Sequence, residues 1–258
     1  MEIQGKTFLV SGASSGLGAA SAQRLLRNGA RVIGLDKDVC RWSSESAWDS
    51  QARERYWHGV CDVSDEEKLE GVVSQGIERL GEVSGLISCA GILHGERLLG
   101  REGVANLDSF RRVMEVNVVG TFLLAWIAAA SILRGLEATS KEGQDQGVLV
   151  LTSSIAATEG QVGQIAYAGS KGAVASMTLP MARELARFGI RVVAIAPGVF
   201  ETPMMQATSS KVRDPLMERL VYPKRFGMPE EYASMVEHVI ENSMLNGTVI
   251  RLDGGLRM

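Results

Sequence analysis

The sequence predicts an α/β fold: a single domain built on a doubly wound, mostly parallel sheet of seven strands. Three observations carry that expectation. Short apolar runs alternate with helical patterns along the whole chain, and repeated βα units of this length join parallel strands. The runs are rich in Val, Ile and Leu without strict alternation, as expected when helices cover both faces of a sheet. A glycine-rich turn lies between the first strand and the first helix, where Rossmann-type domains place the turn that holds a dinucleotide. The 258 residues, 45% apolar and 22% charged, suffice for one large domain with a sizeable interior.

The first strand is TFLVSG (7–12), and SGASSGLG (11–18) leads from it into a helix over 16–28. Gly12, Gly16 and Gly18 permit a tight turn and bring the backbone close to a pyrophosphate at the helix N-terminus. Ser14, Ser15 and Leu17 fill the same turn and are expected at the cofactor. They supply no cation for a ribose 2′-phosphate. Glycine turns also serve only to pack a helix on a strand, but the strand–turn–helix context here is the one nucleotide binding requires. The second strand, RVIGLD (31–36), ends on Asp36. Its carboxylate can accept hydrogen bonds from the adenosine ribose and would repel a 2′-phosphate. Lys37, one residue on, is a dissenting cation that could tolerate NADP. NAD is the expected cofactor.

The third strand, RYWHGVCDV (55–63), brings Cys61, Asp62 and Val63 to the same edge. Asp62 suits the adenine amino group or, alternatively, caps the helix over 65–80. The fourth, GLISCAG (85–91), ends on Cys89, Ala90 and Gly91, which would brace the cofactor cleft. A long apolar helix over 107–135 contains Asn117, and the fifth strand, GVLVLTSS (147–154), delivers Ser154. A helix over 164–188 carries Tyr167 and Lys171. The sixth strand, IRVVAIAPG (190–198), ends on Pro197 and Gly198, with Val199 and Thr202 just beyond. A helix over 229–243 and a seventh strand, TVIRLDGG (248–255), complete the pattern. The irregular stretches are 40–53, 92–106, 136–146 and 199–226, and long loops tend to carry function.

Composition excludes several classes. A net charge of −3 and no Lys/Arg cluster argue against nucleic acid as a partner. Cys40, Cys61 and Cys89 lie far apart, as reduced thiols of a cytoplasmic protein would. The N-terminus enters a strand pattern almost at once, which leaves no room for a signal peptide. The apolar run 118–133 is short for a membrane span and contains Gly120, Thr121 and Ser131, so no membrane partner is expected. His58 and His238 have no ligand partners in the sequence, and no metal site is visible.

The chemistry centres on YAGSK. Tyr167 and Lys171, four apart, share a helix face, so the ammonium stacks beside the phenol. A free phenol titrates near about 10, and a neighbouring cation favours the phenolate. Ser154 could donate a hydrogen bond to a substrate oxygen at the same point. A Tyr–Lys pair at this spacing also arises by chance on surface helices, and the neighbouring motifs decide between the two.

With SGASSGLG, Asp36, CDV, CAG, Asn117 in MEVNVVG, Ser154, YAGSK and PGVFETP (197–203) in order, the chain resembles the short-chain dehydrogenase/reductase family over essentially its whole length. The resemblance implies that Tyr167 is the general acid/base and that Lys171 lowers its pKa and holds the nicotinamide ribose. It also implies that Ser154 orients the substrate oxygen and Asn117 holds a water of the proton relay. Thr202 would bond the nicotinamide carboxamide, Val199 would contact it through its backbone, and the assembly would be a homotetramer. Family members often carry two asparagines where Ser88 and Cys89 stand here. The second half, from EGQVGQ to RLDGGLRM, is similar to the NAD-using branch whose members oxidise secondary alcohols on acyl-CoA thioesters and steroids.

The substrate is expected to be a hydrophobic secondary alcohol or its ketone. Candidate pocket residues are Leu93, His94, Ile155, Gln161, Gln164, Phe200, Met204 and Met205, with Ile92, Leu98, Leu99, Leu216, Met217, Leu220 and Val221 nearby. Flexible thioethers suit an irregular apolar ligand, although they could equally pack the loop onto the interior. Gln161 and Gln164 could instead be plain helix N-terminal polarity, and His94 incidental to its loop. A CoA moiety would want Arg97, Arg101, Lys211, Arg213 or Lys224 for its phosphates. Three functions fit: a 3-hydroxyacyl-CoA or hydroxysteroid dehydrogenase, a dehydrogenase of a small cyclic or terpenoid alcohol, and a non-catalytic dinucleotide-binding scaffold.

Overall fold

A computed structural model describes residues 1–40, 42, 50–100, 103–137 and 145–258. Its elements run β1 (Thr7–Ser11), α1 (Gly16–Arg27), β2 (Arg31–Asp36), α2 (Ser50–Glu54), β3 (Tyr56–Val60), α3 (Glu66–Leu80) and β4 (Gly85–Ser88). A hairpin of β5 (Leu99–Gly100) and β6 (Gly103–Val104) follows, then α4 (Leu107–Met114), a π-helical turn (Glu115–Val119) and α5 (Gly120–Glu137). The remainder is β7 (Gly147–Thr152), α6 (Ala156–Glu159), α7 (Ile165–Leu185), β8 (Ile190–Pro197), α8 (Pro203–Gln206), α9 (Ser210–Arg219), α10 (Pro229–Glu241) and β9 (Val249–Leu252).

The described residues form a seven-stranded sheet ordered β3-β2-β1-β4-β7-β8-β9, and every pairing in it is parallel. The fold is therefore the doubly wound α/β class that the βα repeats predict. Alternate residues of each buried strand face opposite layers. Leu9, Ile33, Leu86, Leu149 and Val192 pack with Leu69, Leu124 and Val174 from α3, α5 and α7. Phe8, Val32, Ile87, Val148 and Val193 pack with Leu25, Tyr232 and Val236 from α1 and α10. A third, smaller cluster of Ile155, Leu216, Leu220, Phe226 and Leu256 lies under α9.

The structure departs from the sequence pattern at the element ends. The expected helix over 107–135 is interrupted by the π turn at Asn117, and the stretch 92–106 holds the β5–β6 hairpin. The expected strands at 55–63, 85–91 and 147–154 stop at Val60, Ser88 and Thr152, because the residues after them leave the sheet to line a cleft. Leu107–Leu136 is long and apolar enough to cross a membrane, but 61% of its apolar window is buried within the protein, against β4 and β7. Arg101 lies outside the described residues.

Candidate active site

The strand order reverses between β1 and β4, so the loops after those strands diverge and leave a crevice at their C-terminal ends. A cleft of about 630 Å³ occupies it and continues past β7 to α8 and α9.

At one end the backbone shapes the wall. Gly12 has φ 68° and Gly16 φ 54°, left-handed conformations that favour glycine. A Cβ on Gly12 would stand 3.0 Å from the Ala90 nitrogen, and one on Gly18 would collide with the Gly12 carbonyl oxygen. The turn therefore presses against the end of β4 and leaves the start of α1 open. Ser15 at the N-cap makes no side-chain cap bond, and no acidic residue stands in the first turn. The free N–H groups and the positive end of the helix dipole suit an anion.

Asp36 accepts a hydrogen bond from the Ser14 N–H (2.9 Å) and another from the Asp38 N–H (3.2 Å). The Ser14 hydroxyl donates to the Asp38 carbonyl at 2.9 Å, and the His58 ring lies 3.0 Å from the same oxygen. Ser14 stands outside the lining of the cleft and ties the turn to the end of β2. Asp62 accepts from the Ser64 N–H (3.0 Å) and hydroxyl (2.6 Å) and pairs with Arg112. Burial disfavours its charged form, but the Ser64 and Arg112 hydrogen bonds outweigh that and hold the carboxyl down at about 2. Asp65, not Asp62, caps α3.

Gly12, Ser15, Gly16, Leu17, Gly18, Asp36, Lys37, Cys61, Asp62, Val63, Cys89, Ala90, Gly91, Pro197, Gly198, Val199 and Thr202 all line the cleft. Where family members often carry two asparagines, the main chain of Ser88, Cys89 and Ala90 is braced by hydroxyls from neighbouring strands. The Ser11 hydroxyl oxygen accepts from the Cys89 and Ala90 N–H groups (3.2 and 3.1 Å), and Thr152 bonds the Ser88 carbonyl at 2.6 Å. The buried Ser88 hydroxyl itself has no partner.

Ser154, Tyr167 and Lys171 converge in the middle of the cleft. The Lys171 ammonium, 4% exposed, donates to the Thr152 carbonyl at 2.8 Å and lies 5.8 Å from the Tyr167 ring centroid. Burial pushes Lys171 down to about 8, with the nearby Cys89 opposing. The expectation that Lys171 lowers the Tyr167 pKa is not met by this geometry. Burial pushes the phenol up, and the opposing influence is its hydrogen bond with Ser154.

Asn117 is fully buried and does not line the cleft. Its Oδ1 accepts from the Ile92 N–H (2.8 Å), and its Nδ2 donates to the Ile92 carbonyl and the Ser170 hydroxyl (both 2.9 Å). The side chain therefore clamps the loop after β4 to α7, while the Asn117 carbonyl, within the π turn, accepts from the Thr121 hydroxyl at 2.8 Å.

The far end is apolar. Leu93, Ile155, Gln161, Gln164, Phe200, Met204 and Met205 line it, but His94 does not. His94 is half-exposed and stands 3.5 Å from Glu96, which corrects its placement in the pocket. Gln164 Oε1 accepts from the Gln161 main-chain N–H at 3.0 Å, so the Gln164 side chain closes a local turn as well as lining the wall. Ile92 and Leu216 also line the cleft, whereas Met217 and Leu220 pack beneath α9 and Val221 is exposed. Arg213 pairs with Glu201 at 3.0 Å and Lys224 bonds the Leu220 carbonyl, while Arg97 and Lys211 are exposed. Sequence reasoning missed Arg112, Thr152, Val212 and Met258, all of which line the cleft. Thr152 shares LTSS with Ser154, and Ser153 and Pro203, which also line the cleft, lie in LTSS and PGVFETP.

A glycine turn at an uncapped helix start, a carboxylate closing β2 and a Ser–Tyr–Lys group fit an NAD(P)-type dinucleotide, and they define an oxidoreductase. A sequence profile of the short chain dehydrogenase family matches residues 6–213. The 3-hydroxyacyl-CoA dehydrogenase type-2 of Bos taurus is 40% identical over 261 residues, which cover 99% of this chain and 97% of that protein. Ipsdienol dehydrogenase of Ips pini is 31% identical over 260 residues, covering 100% and 99%. The crystal structure of 3-hydroxyacyl-CoA dehydrogenase type-2 from Mycobacterium avium superposes with a TM-score of 0.87 at 32% identity, covering 98% of this chain and 96% of that one. The chain belongs to the short-chain dehydrogenase family.

Proposed function

We propose that the protein is an NAD-dependent dehydrogenase that interconverts a hydrophobic secondary alcohol and its ketone, of the 3-hydroxyacyl-CoA or hydroxysteroid type. The observation that carries this is one cleft in which Ser154 and Tyr167 stand between the Asp36 end and an apolar wall. Asp36, with no cation in the phosphate turn to offset it, favours a free ribose 2′-hydroxyl over a phosphate. Bound nicotinamide supplies hydride chemistry at this point. Tyr167 takes the proton of the substrate hydroxyl, and the Ser154 hydroxyl donates to the same oxygen as it becomes a carbonyl. Proton transfer of this kind is worth roughly 10²–10⁴ in rate. Lys171 carries the positive charge beside the ribose.

A second reading, a small cyclic or terpenoid alcohol, draws on two observations. Arg213 and Lys224 are engaged within the fold rather than free for CoA phosphates. The relative from Ips pini is also named for ipsdienol. NADH formation with 3-hydroxybutyryl-CoA, set against a panel of cyclic alcohols, separates the two. Turnover of a small cyclic alcohol with none of the thioester or of a hydroxysteroid would overturn the first. A homotetramer and a cytoplasmic location belong to the same proposal. Phe122 and Trp126 on α5 are 52% and 49% exposed, apolar surface that a second copy could cover, and Cys40, Cys61 and Cys89 are joined in no disulfide among the described residues. Light scattering on the purified chain should give the mass of four copies.

A further inference from the structure

We infer that Met258 is a wall residue that sets the size of the substrate, held in position by Glu159. This deepens the alcohol–ketone function proposed above and rests on it. Met258 lies far in sequence from the catalytic group, yet it lines the same cleft and packs on the cluster that includes Ile155 and Leu216.

The segment that delivers it is specifically built. After β9 the chain reverses at Gly254 and Gly255, which have φ 60° and 79°, left-handed conformations that favour glycine. Asp253 organises the reversal: its carboxylate accepts from the Gly255 N–H at 3.0 Å and pairs with Arg251 and Arg257 at 2.7 and 3.2 Å. The Gly254 carbonyl accepts from the Tyr222 N–H at 3.2 Å, which ties the turn to the segment after α9. Leu256 is then fully buried in the cluster under α9.

Glu159 fastens the far side. It ends α6, the short helix that starts just after Ser154 and Ile155. Its carboxylate accepts from the Met258 N–H at 3.0 Å and pairs with Arg251 at 2.9 Å and Arg257 at 3.7 Å. Exposed ion pairs contribute little singly. Here the bond to the Met258 main chain fixes where the thioether stands. One carboxylate thus joins the wall to the helix beside Ser154, so a substrate bonded to Ser154 and Tyr167 meets Met258 at a set distance.

The test uses the full chain loaded with NAD and a ketone, a pairing that cannot react, so calorimetry reads binding without turnover. The probes are cyclohexanone and the two-ring 2-decalone, and the quantity read is the ratio of their affinities. Met258→Ala should move that ratio toward 2-decalone by roughly tenfold, as for a change of a few carbon atoms in an apolar pocket. Met258→Trp should move it the other way. Glu159→Ala, which leaves the thioether intact, should move it a few-fold in the Met258→Ala direction. A ratio unchanged in Met258→Ala and Met258→Trp, at an unchanged melting midpoint, overturns the inference. So does a proportional loss of both ketones, because Met258 would then serve the fold rather than size. A wild-type chain that binds neither ketone overturns this inference alone, because the proposed function is read separately from NADH formation with the thioester and the alcohols.

Discussion

The two ends of the cleft are held by different kinds of interaction. At the dinucleotide end the main chain does the positioning: Gly12 lets the turn close on the residues after β4, Gly18 lets α1 close on Gly12, and the Ser14 N–H fixes Asp36. At the substrate end the wall is side chains from separate stretches, with Ile155 after β7, Met205 in α8, Leu216 in α9 and Met258 after β9. Main-chain geometry admits one shape of ligand, because any added atom collides with backbone that cannot move cheaply. Apolar side-chain walls tolerate volume-conserving change. A fold arranged this way keeps its cofactor chemistry constant while its substrate varies.

The comparison is sharpest at the boundary between the ends. Tyr167→Phe should lower turnover by roughly 10²–10⁴ while leaving NADH affinity, read by fluorescence, nearly unchanged. Retained turnover would place the base elsewhere and dissolve the boundary. Asp36→Ala should raise the kcat/KM for NADP relative to NAD by roughly a hundredfold, since a like charge facing a phosphate costs several kcal/mol. An unchanged ratio would mean that Lys37 or Asp38, not Asp36, sets the preference.

Gly18→Ala tests whether main chain really shapes the first end. Its Cβ would strike the Gly12 carbonyl, and overpacking of that kind costs about 1–3 kcal/mol, a melting shift of about 5 °C. NADH affinity should fall in parallel, whereas an unaffected midpoint would show the turn to be yielding.

Lys171 gives a smaller and reversible probe. Burial lowers its pKa to about 8, so the ammonium prevails below that pH and the neutral amine above it. NADH affinity that depends on the charge should decline a few-fold as pH rises through about 8. Stability has the opposite sign. The cost of burying the charge is present below about 8 and relieved between there and the ordinary lysine value near about 10.4, so this group makes the protein more stable as pH rises across that window. An affinity flat from pH 7 to 9.5 would remove Lys171 from the ribose.

The same division governs what the sequence reveals. Glycines, Asp36 and the YAGSK run are legible because their roles follow from local backbone and short spacing. Ser14 and His94 stand outside the cleft lining, because proximity in sequence to a motif does not say which way a side chain points. The π turn at Asn117 leaves no periodic trace in the apolar run EVNVV. Arg112 meets Asp62, and Met258 meets Glu159, only after the chain has crossed the sheet. Tyr167 shows a further gap: the i, i+4 spacing to Lys171 is correct, yet the ammonium turns to Thr152, an acceptor that spacing alone does not disclose.

The smallest expected effect lies in the substrate wall itself. Met205 is partly buried, packs on the cluster under α9 and lines the cleft. Its N–H bonds Thr202 Oγ1 at 3.4 Å through the main chain, so replacing the side chain leaves that contact in place. Met205→Leu conserves volume but removes one flexible bond and the polarizable sulfur. The substitution should cost less than about 1.5 kcal/mol of stability. It should change KM for the preferred alcohol by about threefold or less, with kcat unaltered, because the wall touches the ligand's apolar part rather than its reacting carbon. A fall in kcat with unchanged KM would mean that the thioether helps align the hydroxyl on Tyr167. The substrate end would then position its ligand as strictly as the dinucleotide end, and the contrast between them would fail.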